Sequence, residues 1–565
     1  MTMPVIQEDE PLERNGQSGL GLRDGVRKWQ ILVLALPNLG IQMLWLVVMS
    51  YGTPHMAGLG MPTSLTALIW LSGPLSGTLV QPVFAALSDR TTHPWGRRKP
   101  YIAGGASFVC LSLLGLACAE DVSNWLTGSH PSHHHVYASG PPKSSTLTKL
   151  LVAFWACAIN VAVQPLQSGV RALTVDSCPP HQQSEAAAWS ARFNGLGAVL
   201  ISASAVSDIS AWAPLLGDTK FKALCVLAVL ALAATVIPAC FLIADAPAST
   251  DYGCGRSTMP GRRQGTVTRL LAGARSRFSS LPPVTRQVCK IQFCAWLGWF
   301  SVLYYLTTYV YQVFVMDQHI HLDPNIFGSA DPRLIEMGKQ AGTRASFYFA
   351  CVTFASACIL PFVVVASPPS SSTFSDDDNS SSNDAATTTS SWRPSVGRAW
   401  LLAHCLFAAL MFLTTFVWTA PAAIVIVAAL GLAWGVASWA PYTLIGAEIA
   451  GLREAAARRA GWGEMQERGG SGEYWEGSSS GDEKGAGSVV GGEEGEERSG
   501  GDDATAAVMA VHNMAISVPQ ICAALVCSAL FKVVEAAGRD DPAAYAFKLA
   551  GVAAAAAAWM ARDLE

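Results

Sequence analysis

Charge is scarce in this chain. Only 14% of its 565 residues are Asp, Glu, Lys or Arg, while 51% are hydrophobic, and the mean hydropathy is +0.32. Soluble domains carry roughly a quarter charged residues, so this composition excludes an ordinary water-soluble fold and points to lipid as the solvent. A disulfide framework is missing too. Most of the 14 cysteines, such as Cys110, Cys157, Cys225, Cys289, Cys351 and Cys527, stand singly inside apolar runs and read as small packing residues. Cys289 and Cys294 lack the spacing and the His or Cys neighbours of a metal site, so no metal is expected. There is no nucleophile triad pattern and no nucleotide loop. The glycine-rich GGSGEYWEGSSSG lacks the strand and helix that would make it a phosphate cradle, so neither an enzyme nor a cofactor is expected. Met1 to Lys28 is polar, mixed in charge and without a short apolar core before a cleavage site, so no cleavable signal is expected.

What is present is a succession of apolar windows. A bilayer span needs about 20 mostly apolar residues. Twelve windows qualify, near 29–51, 64–88, 101–119, 149–172, 187–209, 222–245, 287–314, 343–366, 397–418, 421–445, 505–533 and 543–560, the last being mostly alanine. The expected fold is an all-α membrane protein of twelve helices in two six-helix bundles. Its parts would be a tail 1–28, a first bundle 29–245, a central basic loop 246–286, and a second bundle 287–565 interrupted by segments 367–391 and 453–504. Those two segments are rich in Ser, Gly and acid and have too little apolar surface to pack, so they read as disordered loops. A solvated spacer is the plain reading; regulators that bind these loops are the other.

Orientation follows the Lys and Arg residues that flank the spans. Arg14, Arg23, Arg27 and Lys28 precede the first span; Arg256, Arg262, Arg263, Arg269, Arg275 and Arg277 fill the central loop. With twelve spans, these lie on one face, so both termini are expected in the cytoplasm. The net charge of −4 hides this bias, because residues 464–503 hold 12 of the 41 acids and 3 of the 37 bases; the rest has 29 acids against 34 bases. Asn379 begins a glycosylation sequon that this layout places in the cytoplasm. His130, His133, His134 and His135 fall in an external loop, where a metal or pH role competes with a plain polar loop.

LSDRTTHPWGRRKP, residues 87–100, is the most basic short stretch near the spans. Alone it would suit a nucleic acid or a lipid surface. Between the second and third spans it reads as a cytoplasmic gate, and no nucleic-acid partner is expected. Asp89 can face an arginine of a neighbouring span, and Arg97 and Arg98 can pair with acids across the bundle interface; Arg90, Gly96 and Lys99 complete the turn. Such a network can hold one state of a rocking carrier closed. Positive-inside anchoring is its bland alternative.

The stretch D-R-x-x-x-x-x-G-R-R-x-P resembles the loop 2–3 signature of the major facilitator superfamily, in its glycoside-pentoside-hexuronide cation symporter version. Residues 50–82 and 163–197, and the runs CKIQFCAWLGWFSVLYYLTTYV (289–310), SWAPYTLIGAEI (438–449) and VHNMAISVPQ (511–520), are similar to fungal sucrose and α-glucoside transporters, relatives of the plant sucrose carriers. The resemblance implies a carrier that moves sucrose or a related α-glucoside with protons by alternating access. It also implies a place in the plasma or vacuolar membrane.

Within that resemblance, Asp176 stands where the family has its transport-essential carboxylate, with Glu448 a second candidate for proton coupling. Arg171 and Arg192 lie inside nominal spans, where a charge is costly and needs a partner. The family's essential arginine near the start of span 5 points to Arg192 for contacting sugar or pairing with Asp176. Asp208, 16 residues on, is about 24 Å away along a straight helix and is no partner for Arg192. Gln42, Trp45, Gln81, Trp296, Trp299, Tyr304, Tyr305, His512 and Asn513 offer the amide, aromatic and imidazole groups a sugar site uses. One departure bears on coupling: relatives carry an acid in span 7 where this chain has Gln312, which cannot titrate. A facilitator without protons, and a non-transporting sugar receptor signalling through its loops, therefore remain alternatives.

Overall fold

The computed structural model describes residues 26–61, 63–128, 145–207, 209, 213–245, 278–318, 332–364, 393–452, 455, 505–539 and 541–564. Nearly all of them are helical. Ten helices are long and apolar enough to cross a membrane: α1 (Lys28–Tyr51), α2 (Leu68–Asp89), α3 (Lys99–Ala117), α4 (Thr146–Ser177), α6 (Lys220–Leu242), α8 (Glu336–Val363), α9 (Val396–Phe416), α10 (Ala420–Leu452), α11 (Val508–Val534) and α12 (Pro542–Leu564). Two more of spanning length, α5 (Gln183–Val206) and α7 (Pro283–Asp317), fall outside that group. Their sequences explain it. Glu185, Ser190, Arg192 and Asn194 interrupt α5, while in α7 the apolar stretch is diluted by Trp296, Trp299, Tyr304, Tyr305, Thr307 and Thr308. A helix that faces a polar interior rather than lipid carries such residues.

Local chemistry sets several helix starts. Ser145, Thr219 and Ser395 accept the orphan amides of Thr148, Lys222 and Arg398 at the starts of α4, α6 and α9. α1 is interrupted by Pro37 and ends in a π-helical turn over Val47–Tyr51. Proline also lies inside α4 (Pro165), α6 (Pro238), α8 (Pro361) and α11 (Pro519), each removing one helical hydrogen bond and favouring a bend.

Among the described residues two large hydrophobic cores form, with a small cluster of Ala85, Ala172 and Ala510 between the halves. One is built from residues between Ile31 and Ile243. The other uses residues between Val288 and Ala561 together with Val175, Ala187 and Ala191 of α4 and α5. Across the divide, α5 packs on α8 and α2 on α11. At the first of these contacts Gly195 lets the backbones meet, since a Cβ there would stand 2.9 Å from the Cα of Phe354. Large apolar side chains such as Leu68, Phe154, Phe241, Phe362, Phe416 and Trp559 point outward, a coat that suits hydrocarbon and not water. The chain is an integral, multi-pass membrane protein. The segment 367–391, all of 453–504 but residue 455, Asn379, Asp208, the histidines at 130 and 133–135, and the arginines before residue 26 and in the central loop lie outside the described residues.

Candidate functional site

At one face of the molecule the ends of α2, α3, α4 and α6 converge on a cluster of charges. Arg98 is fully buried, and its guanidinium reaches Asp89 at 2.6 Å and Asp176 at 3.0 Å. It also donates to the hydroxyl of Ser88 at 2.7 Å. Arg97 joins from the rim, 3.1 Å from the same Oδ2 of Asp176. Asp245, just beyond α6, accepts the backbone amides of Arg98 at 2.6 Å and Lys99 at 3.0 Å, so a carboxylate caps the start of α3. Gly96 makes this approach possible. Its φ is +115°, and a Cβ there would overlap the Asp245 carboxylate.

The partners differ from the sequence expectation in one respect. Arg97 and Arg98 pair with Asp176 of α4 in their own half of the chain, not with acids across the bundle interface. The loop is short and the ends of α2, α3 and α4 adjoin, so the nearest acid is a neighbour in the same bundle. Arg90 is exposed and makes no ion pair among the described residues, which fits an anchoring role.

One turn deeper a cavity of about 110 Å³ opens between the halves. From α1 it is lined by Asn38, Gln42 and Trp45, from α4 by Gln167, Arg171 and Thr174, from α5 by Gln183, Ser190 and Asn194, and from the far half by Ser438, Tyr442 and Met509. Amides and hydroxyls dominate its polar groups beside the guanidinium of Arg171, and Trp45 and Tyr442 supply aromatic surface, so the cavity offers both hydrogen bonds and apolar faces. The volume is below the roughly 300 Å³ at which small-molecule sites begin, so helices must part before a ligand of that size fits.

Arg171 ties the two halves at this level. It donates to Oδ1 of Asn513 at 3.3 Å, and its guanidinium lies over the ring of Tyr442, 5.1 Å from the centroid. Asn513 in turn donates to the Gly77 carbonyl of α2 at 3.4 Å and to Ser517 at 3.2 Å. His512 is fully buried beside it, edge-on to Tyr442 at 5.3 Å and 3.4 Å from Nε2 of Gln292. The structure thus brings Gln42, Trp45 and Arg171 to the cavity and sets Asn513 and His512 directly behind it.

Other expected residues go elsewhere. Arg192 does not pair with Asp176; it stacks on Trp189 at 4.5 Å and on Phe362 at 5.1 Å, between α5 and α8. The helical repeat explains this, for Ser190 and Asn194 face the cavity and Arg192, about 200° from either, cannot. Trp299 is stacked on Phe407 at 4.0 Å inside the second core. Tyr304 leans on Phe300 at 4.3 Å and packs against the first core, its hydroxyl unpartnered. Both are packing residues. Gln81 is also fully buried away from the cavity, and its amide finds no partner among the described groups.

Glu448 caps a helix. Its oxygens accept the amides of Val284 at 2.9 Å and Thr285 at 2.6 Å, and the Thr285 hydroxyl at 2.6 Å, at the start of α7. Glu448→Ala should therefore lower stability by roughly 1–3 kcal/mol through the orphaned donors. The pH profile of transport should not move. A thermal-unfolding midpoint that is unchanged alongside a shifted pH profile would return Glu448 to proton coupling.

Two residues that matter to this geometry escaped sequence reasoning. Asp245 follows an apolar run with nothing local to mark it. Gln183 lines the cavity while donating to the carbonyls of Val175 at 3.1 Å and Cys178 at 2.6 Å, and its side chain fills the space beside Gly446 of α10. It therefore links cavity, end of α4 and far half. Its only sequence signal is an amide in the first turn of α5.

No family model matches the chain. Solved structures with a similar fold include the major facilitator proton:xylose symporter XylE, with TM-score 0.52, 10% identity and 94% of each chain covered. The major facilitator transporter FucP in its outward conformation scores 0.50 at 13% identity, covering 95% of this chain and 99% of that one. The fold is that of the major facilitator class of membrane transporters. Among curated proteins the chain is similar to the general alpha-glucoside permease of Schizosaccharomyces pombe, 26% identical over 94% of this chain and 93% of the permease. It is also similar to sucrose transport protein SUT3 of Oryza sativa subsp. japonica, 27% identical over 48% of this chain and 53% of that protein, so this match spans about half of each. With SUC4 of Arabidopsis thaliana the figures are 27%, 51% and 56%.

Proposed function

We propose that this chain carries sucrose or a related α-glucoside across a membrane together with protons, by alternating access. The observation that supports this best is the placement of Asp176. Its carboxylate joins the charge cluster that closes one face, while Thr174 and Val175, one turn back or less, line the cavity. A proton on Asp176 would weaken its pairing with Arg97 and Arg98, and sugar against Thr174 and Gln183 would press on the same helix end. Loading and gating thereby act on one element. The similarity to an alpha-glucoside permease along most of both chains supports the sugar class.

In this reading two six-helix units, 29–245 and 287–565, rock about the cavity. The face that holds Arg98 and Asp176 is cytoplasmic, as are both termini, and the membrane is the plasma membrane. Arg171, Gln42, Trp45 and Gln183 contact the sugar. Asp89, Arg97, Arg98, Gly96 and Asp245 form the inner gate, and Asn513 and His512 hold Arg171 in place. Reconstituted protein should take up labelled sucrose or maltose faster when the outside is made acid. Flux without pH dependence would leave a facilitator, and binding without flux a receptor.

A further inference from the structure

A second pocket lies between the same halves, and nothing above uses it. We propose that it is an outer subsite that holds the hydroxylated edge of a sugar, between α1, α5, α7 and α8; this rests on the sugar-transport reading. Its polar lining is Ser50 and Tyr51 of α1, Ser202 of α5, Thr307 of α7, and Thr343 and Ser346 of α8. Six hydroxyls from four helices meet there, and no charged side chain lines it. Among the described residues, Ser50, Tyr51, Ser202, Thr307 and Ser346 make no hydrogen bond to a protein group, and Thr343 donates only to the Lys339 carbonyl of its own helix. Ser202 decides the case, because its side chain is only 7% exposed and faces this pocket unpartnered. A serine inside a helix has its own i−4 carbonyl within reach, and Ser202 leaves it unused, its hydroxyl opening onto the pocket instead. These groups are held ready for something else.

Position and shape name the occupant. Trp45 lines the main cavity and Leu46 the second, so the two adjoin along α1. Along α5 the step from Asn194 to Ser202 is about 12 Å, leading away from the charged face. The π-helical turn Val47–Tyr51 at the end of α1 widens the helix where Ser50 and Tyr51 enter the pocket, the kind of local irregularity that clusters at functional sites. The pocket holds about 30 Å³, room for about two waters, or for one hydroxymethyl or a pair of ring hydroxyls. Thr307 is exposed, so the rest of the sugar ring can lie in the opening. Hydroxyls that both donate and accept match sugar hydroxyls, which do the same. The sugar would touch this subsite before it reaches Arg171.

The test is equilibrium binding of radiolabelled sucrose and maltose to the purified full-length protein, with flux measured in parallel. Two components are expected for the transported sugar. Ser202→Val should weaken the looser one at least tenfold and leave the tighter one in place; Arg171→Ala should do the reverse. Should Ser202→Val misfold, Ser50→Ala and Thr343→Val together give the same readout without filling the pocket. A single component in a protein that transports sugar, or a looser component that survives these substitutions, overturns the subsite and leaves the pocket to water. Absence of any sugar binding and flux would remove the transport reading as well.

Discussion

Asp176→Asn is expected to abolish accumulation of sugar against its gradient while leaving exchange of labelled for unlabelled sugar across the membrane. The substitution keeps the shape of the side chain and removes the carboxylate proposed to take the proton. It also removes the charge that Arg97 and Arg98 share at 3.1 and 3.0 Å. The magnitude follows from the gradient. One pH unit corresponds to about 1.4 kcal/mol, so with one proton per sugar the wild-type protein should concentrate sugar about tenfold. The variant should reach a ratio of one. Proteoliposomes with an imposed one-unit gradient measure this directly, and wild-type accumulation by the variant would remove Asp176 from coupling.

The second large effect is expected at Arg98. This side chain is fully buried and holds two carboxylates, Asp89 at 2.6 Å and Asp176 at 3.0 Å, with the Ser88 hydroxyl at 2.7 Å. Whether such a buried cluster adds net stability over an apolar one is a separate matter from what happens when one partner is taken away. Arg98→Gln leaves both acids in a site built for their counter-charge, a cost of about 3–5 kcal/mol. Because that cost falls on the conformation in which the cluster is closed, the carrier should move to the one in which it is open. A bias of this size changes the ratio of the two populations by roughly two to nearly four orders of magnitude. Distances between spin labels on the two halves, at the ends of α4 and α10 on the face with the charge cluster, should lengthen. Adding Asp176→Asn to Arg98→Gln should recover part of the shift, since one stranded carboxylate is then neutral. A distance distribution identical to the wild type would show that the cluster does not set the state.

The helices were legible from composition because hydrocarbon imposes a length on apolar runs, but their ends were not. The window 149–172 becomes Thr146–Ser177, and 421–445 becomes Ala420–Leu452. Hydropathy reads the lipid slab, and these helices continue beyond it as polar turns. That extension matters, because Asp176 and Glu448 both lie in it. Half of the charge cluster was visible in the loop 87–100, where Asp89, Arg97 and Arg98 stand together. The other half comes from α4 and from beyond α6, and only folding brings Asp176 and Asp245 to it.

The cavity was legible where a polar side chain interrupts an apolar helix, as at Gln42 and Arg171. Aromatic content misled at Trp299, which is large and inviting in sequence yet stacked against Phe407 in the core. Arg192 shows a different limit. A charge inside a span needs a stabilising environment, but two aromatic faces, Trp189 and Phe362, can supply it as well as an acid can. The sequence alone does not say which. Gln183 was overlooked because it stands among other polar residues at the start of α5, where an amide is unremarked until the fold sets it between the end of α4 and Gly446.

The central claim is that one carboxylate, Asp176, links the proton to the movement of sugar. It is tested most directly by uptake of labelled sucrose and maltose into proteoliposomes at two external pH values, for wild type and for Asp176→Asn side by side. Wild-type uptake of at least one of the two sugars should rise as the outside is acidified, and the variant's uptake should be the same at both values. Wild-type flux that ignores pH, or a variant that keeps the full pH response, would contradict the account.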